Sequence, residues 1–109
     1  DALDNIPSRL ALQEGCRNLG IPVVHGAIAG DSGQVMTIYP GDPGLNALYH
    51  AGDERGVEAL VGNPTTIPAL VAAIQAREAV KVVCGGETLR HGFLLIDTAA
   101  NLYQFIPLA

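Results

Sequence analysis

The segment 67–84, IPALVAAIQAREAVKVVC, can fold in few ways. Its spacing predicts a helix with Thr65 or Thr66 as its cap, Pro68 in its first turn, and Gly85 and Gly86 as its stop. Leu70, Val71, Ile74, Ala79, Val80, Val82 and Val83 spread apolar side chains around most of its circumference. One small sheet covers only part of such a helix, so a second subunit is expected against it. Gln75, Arg77, Glu78 and Lys81 interrupt the run and make it a poor membrane span.

The flanking segments read as strands and one further helix. Residues 4–20 form a helix for which Asp4 or Asn5 supplies the cap, with Pro7 in the first turn. Leu12, Cys16 and Leu19 lie along one side of it, and Gly20 ends it. IPVVHGAIA and QVMTIYP read as strands, joined at GDSG and paired as a hairpin or lying as neighbours. GFLLIDTAANLYQFIPL reads as two strands around a turn at TAAN. Between the halves, residues 41–63 are rich in glycine and proline and read as a long crossover loop. The sum is an α/β fold with a mixed sheet, two main helices and a C-terminal β-hairpin.

Composition limits the function classes. The chain has 109 residues, enough for one domain, and 49% of them are apolar against 16% charged, which favours a buried core. Net charge is −5 and the six Lys and Arg residues are scattered, so no basic patch for nucleic acid or acidic lipid is visible. Two isolated cysteines make no disulfide framework, and no basic region followed by an apolar run opens the chain. A soluble, cytoplasmic protein is expected.

The order of five segments is informative. DALDNIPSR, GIPVVHGAIAG, GQVMTIYPGD, IQAREAVKVVCG and GFLLIDTAANLYQFIPL follow one another as in the C-terminal half of the HesA/MoeB/ThiF family, which the whole chain resembles. These proteins are bacterial relatives of the ubiquitin-activating enzymes. The resemblance implies a single partial domain over residues 1–109, the C-terminal part of a Rossmann-like adenylation domain. The family's Gly-rich turn, its ribose-binding acidic residue and its phosphate-binding Arg and Lys lie upstream of D-x-x-D-N. None of them is in this chain, so it is expected to be part of a longer protein and inactive in adenylation by itself.

The same resemblance implies the site. Asp4 becomes the catalytic carboxylate and the ligand of a magnesium ion, and Asp4 and Asn5 together contact ATP. Oxygen donors beside phosphates suit this hard cation, and Asn5 can donate to a ribose or phosphate oxygen. Read from spacing alone, both residues simply cap the first helix, and the two readings are compatible because a helix start also favours anions. Arg9 is expected in a structural ion pair with Asp1 or Asp4, and Asp1 to cap local backbone.

Other chemistry-bearing residues carry less. Relatives with two C-x-x-C pairs bind zinc, but Cys16 and Cys84 are the only cysteines, so no Cys-based zinc site is expected. Both read as small core residues. The catalytic-cysteine position of thioester-forming relatives falls near Gly56. His25 reads as a strand residue satisfied by a local hydrogen bond, His50 with Asp53 and Glu54 as a solvated loop, and His91 as part of a surface turn.

The resemblance implies that the intact protein adenylates the C-terminal glycine of a ubiquitin-like sulfur-carrier protein, using ATP and Mg2+, in the biosynthesis of a sulfur-containing cofactor. A homodimer is expected, with no nucleic-acid or membrane partner. The alternative is a non-catalytic, dimerising, carrier-binding module of the same fold.

Overall fold

The computed structural model describes residues 1–49 and 64–108. Helix α1 spans Ile6–Leu19, strand β1 Val23–Ala29, strand β2 Ser32–Ile38, helix α2 Thr66–Cys84, strand β3 Gly92–Asp97 and strand β4 Leu102–Pro107. A 3-10 turn at Leu45–Ala47 follows β2. His50, Asp53, Glu54 and Gly56, with most of the crossover loop, lie outside the described residues.

The four strands stand in the order β1-β2-β3-β4, and all three pairings are antiparallel. Where a mixed sheet is expected, the described residues hold antiparallel pairs alone. Two of these pairs are hairpins, which only antiparallel neighbours can form with so short a turn. The first hairpin turns at Gly30 and Asp31, between the paired residues Ala29 and Ser32, so β2 begins earlier than its apolar run suggests. The second turns through residues 98–101, at the TAAN motif.

The pleat sorts side chains to two faces. On one face Val35 and Ile96 pack with Ile67 and Val71 of α2, flanked by Val24, Ile28 and Leu94. On the other, Met36 and Ile38 pack with Leu45, flanked by Leu10 of α1, Tyr49 and Phe93. The sheet is thus a layer between α2 and the α1 side. No helix among the described residues is long and apolar enough to cross a membrane.

The helix boundaries follow the turn chemistry. Asn5, not Asp4, caps α1: its Oδ1 accepts from the Ser8 amide at 2.9 Å. Gly20 and Gly85 end the two helices at φ 71° and 76°, left-handed values that cost glycine nothing. At the start of α2, Thr65 stands at the cap position but makes no side-chain capping bond, because its backbone is already helical.

The buried side of α1 departs from its apolar stripe. Ile6, Arg9 and Gln13 are buried, while Leu12 is 38% exposed and Leu19 is 75% exposed. Polar reach decides this orientation. Gln13 Oε1 accepts from the Leu45 amide at 2.6 Å and its Nε2 donates to Asn46 Oδ1 at 2.7 Å. Arg9 bonds into β1, as described below. Cys16 is half-buried and Cys84 is exposed, so Cys84 is not a core residue. It closes the last turn of α2, where Val83 is also exposed.

A polar latch fixes α2 to the sheet. The buried carboxylate of Glu78 accepts from Thr37 Oγ1 of β2 at 2.8 Å and from the Leu89 amide at 2.5 Å. Lys81 Nζ stands 3.3 Å from its second oxygen. Val80 and Val83 point away from the sheet and are exposed, as are Tyr103 and Phe105 of β4.

A second clamp ties the chain after β2 to the start of β3. Arg90 donates from Nε and Nη2 to the two oxygens of Asp42, each at 2.8 Å, and lies 4.2 Å over the ring of Tyr39. These bonds from Arg90 hold the Asp42 carboxyl below its ordinary range, and the Tyr39 amide adds to the effect. A depressed folded value means stability present above the unfolded value, near pH 4, and lost as pH falls through the folded one. Asp42→Asn is therefore expected to destabilise at pH 7 and to match the parent more closely at about pH 3. Denaturant unfolding at both pH values checks this, and a gap that stays constant contradicts it.

Candidate functional site

The site is built where the first residues of the chain meet β1. The Asp1 nitrogen donates to Val24 O of β1 at 2.9 Å. Gln75 of α2 donates from Nε2 to Asp1 O at 2.8 Å and to Val24 O at 3.2 Å. It reaches them because Gly26 is bare: a Cβ there would stand 2.3 Å from Gln75 Cδ.

The side chain of Asp1 is fully buried and does two jobs. Oδ1 accepts from the Leu3 amide at 2.9 Å, closing a tight local turn. Oδ2 faces Arg9 Nη1 at 3.1 Å and His25 Nδ1 at 2.7 Å. Arg9 also donates to Gly26 O at 2.8 Å and to Leu3 O. Of the two partners expected from the sequence, Asp1 and Asp4, the ion pair is with Asp1. Arg9 is buried, and its described contacts are within the protein, which agrees with a structural part for it.

His25 is fully buried, and its hydrogen bonds are long-range rather than local. Its partners are Asp1, in the opening turn, and Gln34 of β2, whose Nε2 stands 2.9 Å from His25 Nε2. The same Gln34 nitrogen donates to Tyr49 Oη at 2.8 Å. An amide with both hydrogens donated leaves His25 Nε2 as the acceptor and Nδ1–H as the donor to Asp1. Arg9 Nη1 also stands 3.4 Å from His25 Nδ1. The Tyr49 ring meets the imidazole edge-on, with centroids 6.0 Å apart.

Asp4 sits differently from its neighbours. Its carboxylate is exposed, and Asn5 Nδ2 stands 3.3 Å from its Oδ1. With Asp1, Leu3 and Arg9 it borders a cleft of about 290 Å³, walled by Gly26, Ile28, Pro68, Val71 and Gln75. Asp4 is thus at the rim of the cleft, while Asn5 is not among the residues that line it and has its acceptor engaged in the helix cap. No group of three or more His, Cys, Asp or Glu side chains among the described residues is placed to hold a metal ion. His91 lies in an exposed turn at φ 61°, away from this cleft.

The ThiF family model matches residues 1–109, the whole chain. The chain belongs to the ThiF family. It is 37% identical over 111 residues to the "SAMP-activating enzyme E1" of Haloferax volcanii, covering 98% of this chain and 41% of that protein. It is 33% identical over 116 residues to "Adenylyltransferase and sulfurtransferase MOCS3-1" of Zea mays, covering 99% of this chain and 24% of the relative. A MOCS3 protein of Drosophila yakuba is 30% identical over 118 residues, with 97% and 24% covered. This ThiF-family chain therefore spans between about a quarter and two fifths of these relatives' lengths. The fold described above is compatible with a part of the Rossmann-like domain that the resemblance implies.

Sequence reasoning missed Gln75, Gln34 and Tyr49. Gln75 carried one signal, an amide in an otherwise apolar stretch of helix, facing a glycine in the middle of a strand. Gln34 and Tyr49 carried none, because their meeting depends on how the chain returns after β2.

Proposed function

We propose that the full-length protein is an activating enzyme that uses ATP to adenylate the C-terminal glycine of a ubiquitin-like sulfur-carrier protein, releasing pyrophosphate. Membership of the ThiF family and relatives named as an activating enzyme and as adenylyltransferases support this reading. The observation that carries it is the exposed Asp4 carboxylate at the cleft rim, on a turn otherwise bound into the protein. Supply of sulfur to a cofactor and a cytoplasmic setting belong to the same proposal.

In this reading Asp4 holds a magnesium ion. The donor fits: magnesium near phosphates is bound through one or two carboxylates, with phosphate oxygens and water completing its shell. The ion would offset negative charge on the phosphates as the carrier's carboxylate attacks the α-phosphate. Asn5 supplies a second donor hydrogen on Nδ2, beyond the one directed at Asp4, for a ribose or phosphate oxygen. The mostly apolar cleft walls limit water around an acyl-adenylate, whose hydrolysis would waste ATP.

Carrier-dependent exchange between ATP and pyrophosphate by the full-length protein tests the proposal. Exchange that needs the carrier's native C-terminal glycine supports it. Carrier binding with no exchange supports the alternative, a non-catalytic carrier-binding module.

The homodimer belongs to this proposal as well. Val80, Val83, Tyr103 and Phe105 leave apolar surface on α2 and β4 uncovered, and such surface marks interfaces. Sedimentation is expected to give a dimer at micromolar concentration, and a stable monomer there contradicts it.

A further inference from the structure

We infer that His25 and Gln75 are positioning residues for the opening acidic turn, acting on Asp4 through Asp1. The inference rests on the proposed adenylation.

The hydrogen-bonding groups of Asp1 and Leu3 are engaged from three elements and from within the turn. Gln75 of α2 takes Asp1 O, Asp1 Oδ1 takes the Leu3 amide, Arg9 of α1 takes Leu3 O, and His25 of β1 with Arg9 takes Asp1 Oδ2. The next residue, Asp4, is exposed. A turn bound so closely immediately before an exposed carboxylate fixes where that carboxylate stands.

Stability alone is a weak reason for this arrangement. Arg9 is buried together with an aspartate, and the desolvation of these two charges offsets much of what their pairing gains. Gln75 lies over a glycine, where an apolar side chain on a larger strand residue would bury more carbon. What the polar set supplies is direction. His25 adds to that direction because Gln34 fixes its tautomer, leaving Nδ1–H aimed at Asp1. Groups that align a reacting centre lose on the order of 100-fold in rate for about 1 Å of misplacement.

The test uses full-length protein carrying His25→Ala, His25→Asn or Gln75→Met. Asparagine returns a donor near the place of Nδ1, and methionine keeps the length of Gln75 without its donor. Carrier-dependent ATP–pyrophosphate exchange is expected to fall about 10- to 100-fold in kcat for His25→Ala and Gln75→Met. KM for the carrier should stay near the parent's, and His25→Asn should recover much of the loss. Hydrogen exchange at the Leu3 amide supplies a readout independent of activity. Its protection should drop in the two damaging variants while amides of β2 keep theirs. Should His25→Ala fail to fold, Gln75→Met with its small change in shape decides. A parent protein without exchange activity overturns the proposed function, and Leu3 protection then still reports on the clamp. Parental kcat with unchanged Leu3 protection in Gln75→Met overturns the inference, as does a loss that follows only the fall in Tm.

Discussion

Asp4→Asn in the full-length protein is expected to abolish most adenylation while leaving the fold intact. The variant keeps side-chain size and removes a full negative charge. Asn5, which supplies the α1 cap, is untouched, and Asp4 itself is exposed with Asn5 as its recorded side-chain neighbour. Loss of a nearby charge from the start of a helix alters stability by at most about 1 kcal/mol at such a site. Loss of one well-placed electrostatic contact to a reacting centre costs on the order of 100- to 1000-fold in rate. Thermal melting and pyrophosphate exchange on the same protein separate the two effects. A well-folded Asp4→Asn protein with near-normal exchange removes Asp4 from the site.

Glu78→Ala is expected to cause the largest loss of stability among polar substitutions. The carboxylate is buried and accepts from Thr37 Oγ1 and the Leu89 amide through one oxygen. Alanine leaves both donors without that acceptor and opens space between α2 and β2. The combined cost is about 2–4 kcal/mol. Glu78→Gln keeps the Oε1 acceptor and weakens only the approach to Lys81, whose side chain is partly exposed, so its cost is on the order of 1 kcal/mol. Denaturant unfolding of both variants checks the ranking. Equal losses, or none for alanine, mean that Glu78 does not latch the helix.

Much of the fold is legible in the sequence because its signals are local. Gly20 and Gly85 stop the helices, Pro7 suits the first turn of α1, and the strand runs break at GDSG and TAAN. The orientation of α1 is not local. Leu12, Cys16 and Leu19 share a side, but Arg9 and Gln13 turn the helix toward β1 and the Leu45 turn, and no periodicity encodes those partners. Cys84 misleads for a similar reason: an apolar composition continues past the point where α2 leaves the sheet.

The site divides in the same way. Asp4, Asn5 and the Asp1–Arg9 pair are within nine residues of one another, so motif spacing brings them together. His25 is fixed by residues 24 positions earlier and nine later, and Gln75 by one 74 positions away. Contacts of that length come from the sheet pairing and the return of α2, which a single sequence does not display.

The account stands or falls on the chemical state of the carrier's C-terminus. Full-length protein, ATP, magnesium and a purified ubiquitin-like carrier ending in glycine are mixed, quenched in acid and read by mass spectrometry. The account predicts carrier that has gained one adenylyl group at its terminal carboxyl, absent when the terminal glycine is deleted and strongly reduced with Asp4→Asn. Carrier that binds the protein yet keeps its original mass throughout contradicts it.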